Sequence, residues 1–252
     1  MTLKKLFHCD NGNINSDIAI LWLHGWGQNH NSFLALSTYF DQYHNILIDF
    51  PGFGQSYTPK TILSVDDYAN IISDIINKYN KKIFIVGHSF GCRVAMKYCA
   101  LKEAKLNGII LISPAGIRKK RSICFKIKAI LLKKSAQLIG DFDKIFKTKI
   151  KERFSNNFGS TDYKNAKGIM KKIFVKTISE DLSEIAKKIT YQALIINGAE
   201  DKETPIEMAE RFNKLITNSC LIKLDNFDHY NILTSGKFQL QNIITKFIKN
   251  NK

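Results

Sequence analysis

A serine stands midway between two glycines at residues 87–91 (GHSFG), at the point where a short apolar run, residues 83–86 (IFIV), gives way to a helical pattern from Phe90. A strand that turns at once into a helix leaves its turn residue in a strained backbone conformation. Glycine two residues to either side removes β-carbons that would collide with neighbouring backbone. The Ser89 hydroxyl is then left projecting from the carboxyl end of a strand. It sits over a helix N-terminus, which favours developing negative charge.

The rest of the chain alternates in the same way. Residues 19–23 (AILWL), 46–48, 83–86, 109–112 (IILI), 193–196 (ALII) and 221–224 (LIKL) are short runs, mostly continuous in their apolar character. Such runs read as buried parallel strands rather than as half-exposed ones. Helical patterns lie between them. Ser64 and Asp67 have capping-box spacing and start a helix to about Tyr79, with Ile71, Ile72, Ile75 and Ile76 on one face. A second helix runs from Phe90 to about Leu101. Thr204-Pro205 opens another, with Thr204 as its N-cap, and residues 236–250 close the chain as a helix. This rhythm predicts an α/β fold, a mostly parallel twisted sheet flanked by helices. It stops over residues 115–188, where only helical patterns and loops appear. The expected organisation is a core of residues 1–114 and 189–252 with one helical insertion, 115–188.

Composition narrows the classes further. Of 252 residues 44% are apolar, which excludes disorder over most of the chain, and no apolar run approaches the roughly 20 residues of a membrane span. The five cysteines (9, 92, 99, 124 and 220) form no CxxC pair, so neither a zinc site nor a disulfide scaffold is expected. With no apolar stretch behind the basic first residues, a secretory signal is not expected, and the expected compartment is the reducing cytoplasm. The net charge is +16, with 33 Lys against 5 Arg. Residues 117–190 carry 20 basic and 7 acidic residues, net +13, which leaves +3 for the remainder.

A serine hydroxyl is a poor nucleophile without a base. Of six histidines, His8, His24, His30 and His44 come early, and His88 adjoins the serine with its side chain directed away. His229, in NFDHYNIL after the last strand, is at the right edge of the sheet. Its orienting acid is Asp201, just after the strand ALIING; Glu200, Asp225 and Asp228 compete for that role, and Asp49 more remotely. The order Ser89, Asp201, His229 suits this fold. An oxyanion needs two N–H donors. Phe90, after the nucleophile, supplies one. The turn at residues 24–27 (HGWG) supplies the other, from Trp26 or, next to it, Gly25.

These motifs, together with residues 49–54 (DFPGFG) and 198–205 (GAEDKETP), resemble the serine α/β-hydrolases. Within them the HGWG-Gln28-Asn29 segment is similar to the carboxylesterase subgroup that includes pimeloyl-carrier-protein methyl ester esterases. The resemblance implies an ester hydrolase without metal or organic cofactor, acting on a small-molecule acyl ester. It is also compatible with carbon–carbon bond hydrolases of ring-cleavage type, and a catalytically idle, lid-mediated binding protein on the same fold is the alternative of a different class. Ser89 argues against the haloalkane dehalogenases and epoxide hydrolases, which carry aspartate there. The resemblance further implies that residues 115–188, inserted after strand 6, form a lid over the serine. Trp26, Phe90, Phe125 and Phe142 would line its acyl pocket, among lid aromatics that include Phe146, Phe154, Phe158, Tyr163 and Phe174. The basic outer face of this segment would suit an acidic carrier protein or an anionic membrane surface. Nucleic acid is not expected as a partner, since no recognised module for it is visible.

Overall fold

The computed structural model describes residues 6–101, 106–117 and 161–252. Among the described residues seven strands form one sheet: β1 (His8–Gly12), β2 (Ile18–Leu23), β3 (His44–Ile48), β4 (Lys82–His88), β5 (Gly108–Ile112), β6 (Ala193–Gly198) and β7 (Ser219–Leu224). Their spatial order is β1-β3-β2-β4-β5-β6-β7, and every pairing is parallel except β1 with β3. The continuous apolar runs are the strands buried on both faces: β2, β3, β5 and β6 have every residue buried. The edge strand β7 is only partly covered.

Strand periodicity assigns each run to two cores. Leu21, Leu23, Ile83, Ile85, Ile109, Leu111 and Ile195 face one layer. That layer contains α2 (Val65–Ile76), α3 (Phe90–Cys99) and, later in the chain, α7 (Ile206–Leu215). Ile20, Trp22, Phe84, Val86, Ile110, Ile112, Leu194 and Ile196 face the other. There they meet α1 (Asn31–Ser37), α8 (Asn231–Thr234) and α9 (Lys237–Asn250). The expected capping box is formed: the Ser64 hydroxyl accepts from Asp67 N–H, and the Asp67 carboxylate accepts from Ser64 N–H.

Among the described residues only β1 precedes the parallel strands, and residues 115–188 follow β5, the run 109–112 that the family's count makes the sixth strand. One expectation is corrected. Thr204 does not cap α7. The cap position falls on Pro205, without a side-chain hydrogen bond, and the Thr204 side chain is engaged elsewhere.

Between β5 and β6 the described residues form α4 (Thr161–Asn165), α5 (Gly168–Ser179) and α6 (Ser183–Ala186), within the segment expected to be inserted. It joins the first core through Ile173, Leu182, Ala186 and, following α6, Ile189. A polar pin fixes it as well. The buried Arg93 guanidinium on α3 donates from Nη1 to the carbonyls of Thr177 (2.9 Å) and Glu180 (3.0 Å). One turn on, Lys97 pairs with the carboxylates of Glu180 and Asp66. Among the described residues no helix is long and apolar enough to cross a membrane.

Candidate active site

The carboxyl ends of the parallel strands gather the polar residues of interest, as open α/β sheets do. At the end of β4, Ser89 has φ +49° and ψ −103°, a region that costs a non-glycine residue roughly 1–3 kcal/mol. The turn is fastened on both sides: Ser89 N–H donates to Ile112 O (3.1 Å), and Cys92 N–H donates to Ser89 O (3.2 Å). The flanking glycines are needed for close approach. A β-carbon on Gly91 would fall far inside van der Waals contact distance of the Leu23 carbonyl oxygen, and one on Gly87 would lie 2.8 Å from Gly91 C. The elbow therefore packs α3 against β2 at a distance only glycine permits.

Asp201 and His229 meet at the ends of β6 and β7. His229 Nδ1 lies 2.8 Å from Asp201 Oδ2, with both residues buried. A carboxylate can only accept, so the ring proton is on Nδ1 and Nε2 is left as the acceptor. Asp201 Oδ1 accepts from Thr204 N–H (2.7 Å), and Oδ2 also accepts from the Thr204 hydroxyl (2.8 Å). Burial by itself pushes the Asp201 carboxyl up. The hydrogen bond and charge of His229, with the Thr204 N–H, outweigh it and hold the group below the usual carboxylate range.

The loop carrying His229 is tied to the elbow. His88 Nε2 donates to the main-chain oxygen of His229 at 2.9 Å, and the two imidazole centroids are 4.8 Å apart. Total burial, then the nearby charge of His229, drive His88 down to about 3, so it is neutral at physiological pH. Glu200 N–H donates to Phe227 O (2.9 Å), which joins the loops after β6 and β7.

The competing residues have other partners. Asp228 Oδ1 accepts from the N–H groups of Tyr230 and Asn231 (both 2.8 Å) at the start of α8. Asp225 is exposed beside Lys223, and Glu200 is exposed. Asp49 accepts from His30 N–H, His30 Nδ1 and Gln55 N–H, which closes its own turn. His24 Nδ1 donates to Gly25 O (2.7 Å), and its Nε2 accepts from Phe50 N–H (3.0 Å). Burial lowers it to about 4, so it acts as a neutral strut under the turn.

Gly25 N–H donates to Gln28 Oε1 (2.9 Å), which occupies one of the two oxyanion donors considered in that turn. The Trp26 ring packs on Phe53 (4.9 Å), Phe90 (5.3 Å) and Phe174 of α5 (4.9 Å). The Phe90 ring is 4% exposed and sits among Phe50, Tyr68 and Trp26 as core. Phe125 and Phe142 lie outside the described residues, as do Phe146, Phe154 and Phe158. Asp162 of α4 reaches toward the turn after Trp26: its Oδ1 lies 3.7 Å from where a Gly27 β-carbon would be. Its carboxyl is pushed up by burial and then by the charge of Glu203. The sequence reading missed Thr204 and Asp162. Thr204 could be found only as a threonine three residues after the acid, and Asp162 left no local signal.

The profile of the serine aminopeptidase S33 family matches residues 15–230. An uncharacterized protein of Mycobacterium tuberculosis is 32% identical over 114 residues, 44% of this chain, and the chain spans only 33% of that protein's length. Lipase 3 of Moraxella is 21% identical over 247 residues, covering 92% of this chain and 78% of the lipase. Among solved structures, an esterase from Exiguobacterium antarcticum superposes with a TM-score of 0.72 at 22% identity. That match covers 97% of this chain and 95% of the esterase.

Proposed function

The chain belongs to the serine aminopeptidase S33 family and has the α/β-hydrolase fold, and from that premise we propose that it cleaves a carboxylic ester by acyl transfer through Ser89, His229 and Asp201. The observation that carries the proposal is the convergence at one sheet edge. A strained serine adjoins His88, His88 binds the main chain of His229, and the His229 imidazole is held by Asp201. His229 Nε2 takes the Ser89 proton as the hydroxyl attacks the ester carbonyl. It then returns that proton to the leaving alcohol and activates the water that releases the acid. The N–H of Phe90, at the start of α3, stabilises the oxyanion together with the N–H of Trp26. The engagement of Gly25 by Gln28 favours Trp26 over its neighbour. The Asp201–His229 hydrogen bond fixes the tautomer throughout. Ester rather than amide cleavage is supported by the similarity to a lipase over most of both chains.

We also propose that residues 115–188 act as a lid lined toward the serine by aromatic rings, with Trp26 and Phe174 in contact at its described edge. Lys164, Lys167, Lys172 and Lys176 are exposed on the described part and suit an anionic partner. High salt should then weaken turnover of an anionic carrier-linked ester while sparing a small neutral one.

The direct test is hydrolysis of p-nitrophenyl esters of two to twelve carbons beside alanyl p-nitroanilide, wild type against Ser89→Ala. Ester turnover that disappears in the variant supports the reading. Preferential cleavage of the anilide would replace it with a peptidase. No turnover and no labelling by a fluorophosphonate would place an idle binding protein first.

A further inference from the structure

Thr204 looks in the sequence like a helix cap and is nothing of the kind in the fold, since α7 starts at Ile206 with Pro205 in the cap position. Its hydroxyl instead stands among three groups. It is 2.8 Å from Asp201 Oδ2, 3.1 Å from the Ser113 carbonyl at the end of β5, and 3.2 Å from His229 Nδ1. Its own N–H holds the other carboxylate oxygen at 2.7 Å. A hydroxyl has one proton, and an ionised carboxylate has none to give. The contact to Oδ2 therefore carries the Thr204 proton, as a charge-assisted bond shorter than the one to Ser113. Threonine is stiff at χ1, and residue 204 is buried, so the hydroxyl is held in place rather than sampling solvent.

We propose that Thr204 is a positioning residue for the acid–base pair. It clamps both oxygens of Asp201, and its hydroxyl proton tempers how strongly that carboxylate accepts from His229. This rests on the reading of Asp201 and His229 given above. The consequence has a definite sign. A carboxylate that shares its charge with a second donor holds the imidazole proton less tightly. Removing that donor makes Asp201 a stronger acceptor, so His229 retains its proton to higher pH and becomes a poorer base near neutrality. Other titratable groups surround His229: His88 from the elbow, Tyr230 and Asp228 on its own loop, Glu203 beside Thr204, and Asp162 from the insertion. None of them changes in the variants below, so a shift between variants isolates the hydroxyl.

The experiment compares wild type, Thr204→Val, Thr204→Ala and Thr204→Ser. Its readouts are the pH profile of kcat/KM on the best p-nitrophenyl ester and the low-field proton resonance of His229 Nδ1–H. In Thr204→Val and Thr204→Ala the acid limb should move up by about half a pH unit. For both, kcat should fall roughly tenfold with KM within about twofold, and the resonance should move downfield. Thr204→Ser should restore all three. An unmoved limb and resonance in both Val and Ala variants would overturn the proposal, whatever the loss of rate, because a packing defect lowers kcat without retuning the histidine. A Thr204→Ser variant as defective as Thr204→Val would overturn it too. Ser89→Ala separates the two readings. If that variant keeps full ester turnover, the catalytic assignment fails. The resonance still reports whether the Thr204 hydroxyl tunes the pair.

Discussion

His88 Nε2 donates to the main-chain oxygen of His229 at 2.9 Å, across 141 residues of sequence. The neighbour of the proposed nucleophile thus anchors the loop that carries the proposed base. His88→Phe should keep the ring volume and lose the donor, freeing that loop. Steady-state kinetics should show kcat lowered on the order of 10–100-fold with a smaller change in KM. Activity equal to wild type would mean that the loop is held without this bond.

Asp201→Asn retains the shape of the carboxylate but not its charge, and it permits the wrong histidine tautomer. The expected loss in kcat is about 10⁴-fold, with the thermal midpoint little changed. A loss under tenfold would point to another acid, with Asp228 and Glu200 the first to replace in turn.

Stability should decline as pH falls below about 6.5. His24 and His88 are lowered by burial to about 4 and about 3, and His44 is lowered by burial as well. Between the unfolded value near 6.5 and those folded values, the unfolded chain binds protons that the folded chain refuses. Stability is therefore full above about pH 6.5 and drains away on acidification. At pH 5 the cost is about 2 kcal/mol for each of His24 and His88. Asp201 behaves differently: its contribution is present above the unfolded carboxylate value and is lost only as pH falls through its depressed folded one. Urea midpoints at pH 7 and pH 5 check this. His24→Asn should flatten the difference by roughly half, and an unchanged slope would refute the assignment of neutral buried rings.

Arg93→Ala removes the guanidinium that holds the Thr177 and Glu180 carbonyls. Losing two hydrogen bonds from a buried charged donor should cost about 2–4 kcal/mol. The loss should also loosen the C-terminal end of α5. Limited proteolysis should then cut near residues 177–182 well before the sheet core is attacked. Cleavage at wild-type rates would mean that apolar packing by Ile173 and Leu182 suffices.

Gly91→Ala should be among the most damaging single-methyl changes in the chain. Its β-carbon would strike the Leu23 carbonyl, which is main chain and cannot rotate aside. A loss of roughly 2–4 kcal/mol is expected, read as a drop in the thermal midpoint or as insoluble expression.

What could be read from residue order was whatever has a local cause. Buried strands announce themselves as apolar runs, and the Ser64–Asp67 box is written within four residues. The place of Ser89 at a strand-to-helix turn was legible because a strained turn needs glycine at fixed offsets, and the places of His229 and Asp201 because each follows a strand at the same sheet edge. Thr204 was misread for the opposite reason. Its cap-like position before proline is a local signal, but a buried carboxylate three residues back outcompetes the helix for its hydroxyl. Asp162 could not be placed, since it reaches the turn at residue 27 only through the packing of α4.

The protein has two tryptophans, and the fold has placed them very differently. Trp22 is 1% exposed, with its indole N–H bonded to Asn45 Oδ1, and should emit as a fixed reference. Trp26 touches both Phe174 of α5 and the elbow's Phe90. Any displacement of α5 changes the surroundings of Trp26 alone. The chain thus carries its own optical gauge of the position of α5, readable without a label once Trp22→Phe has removed the constant signal.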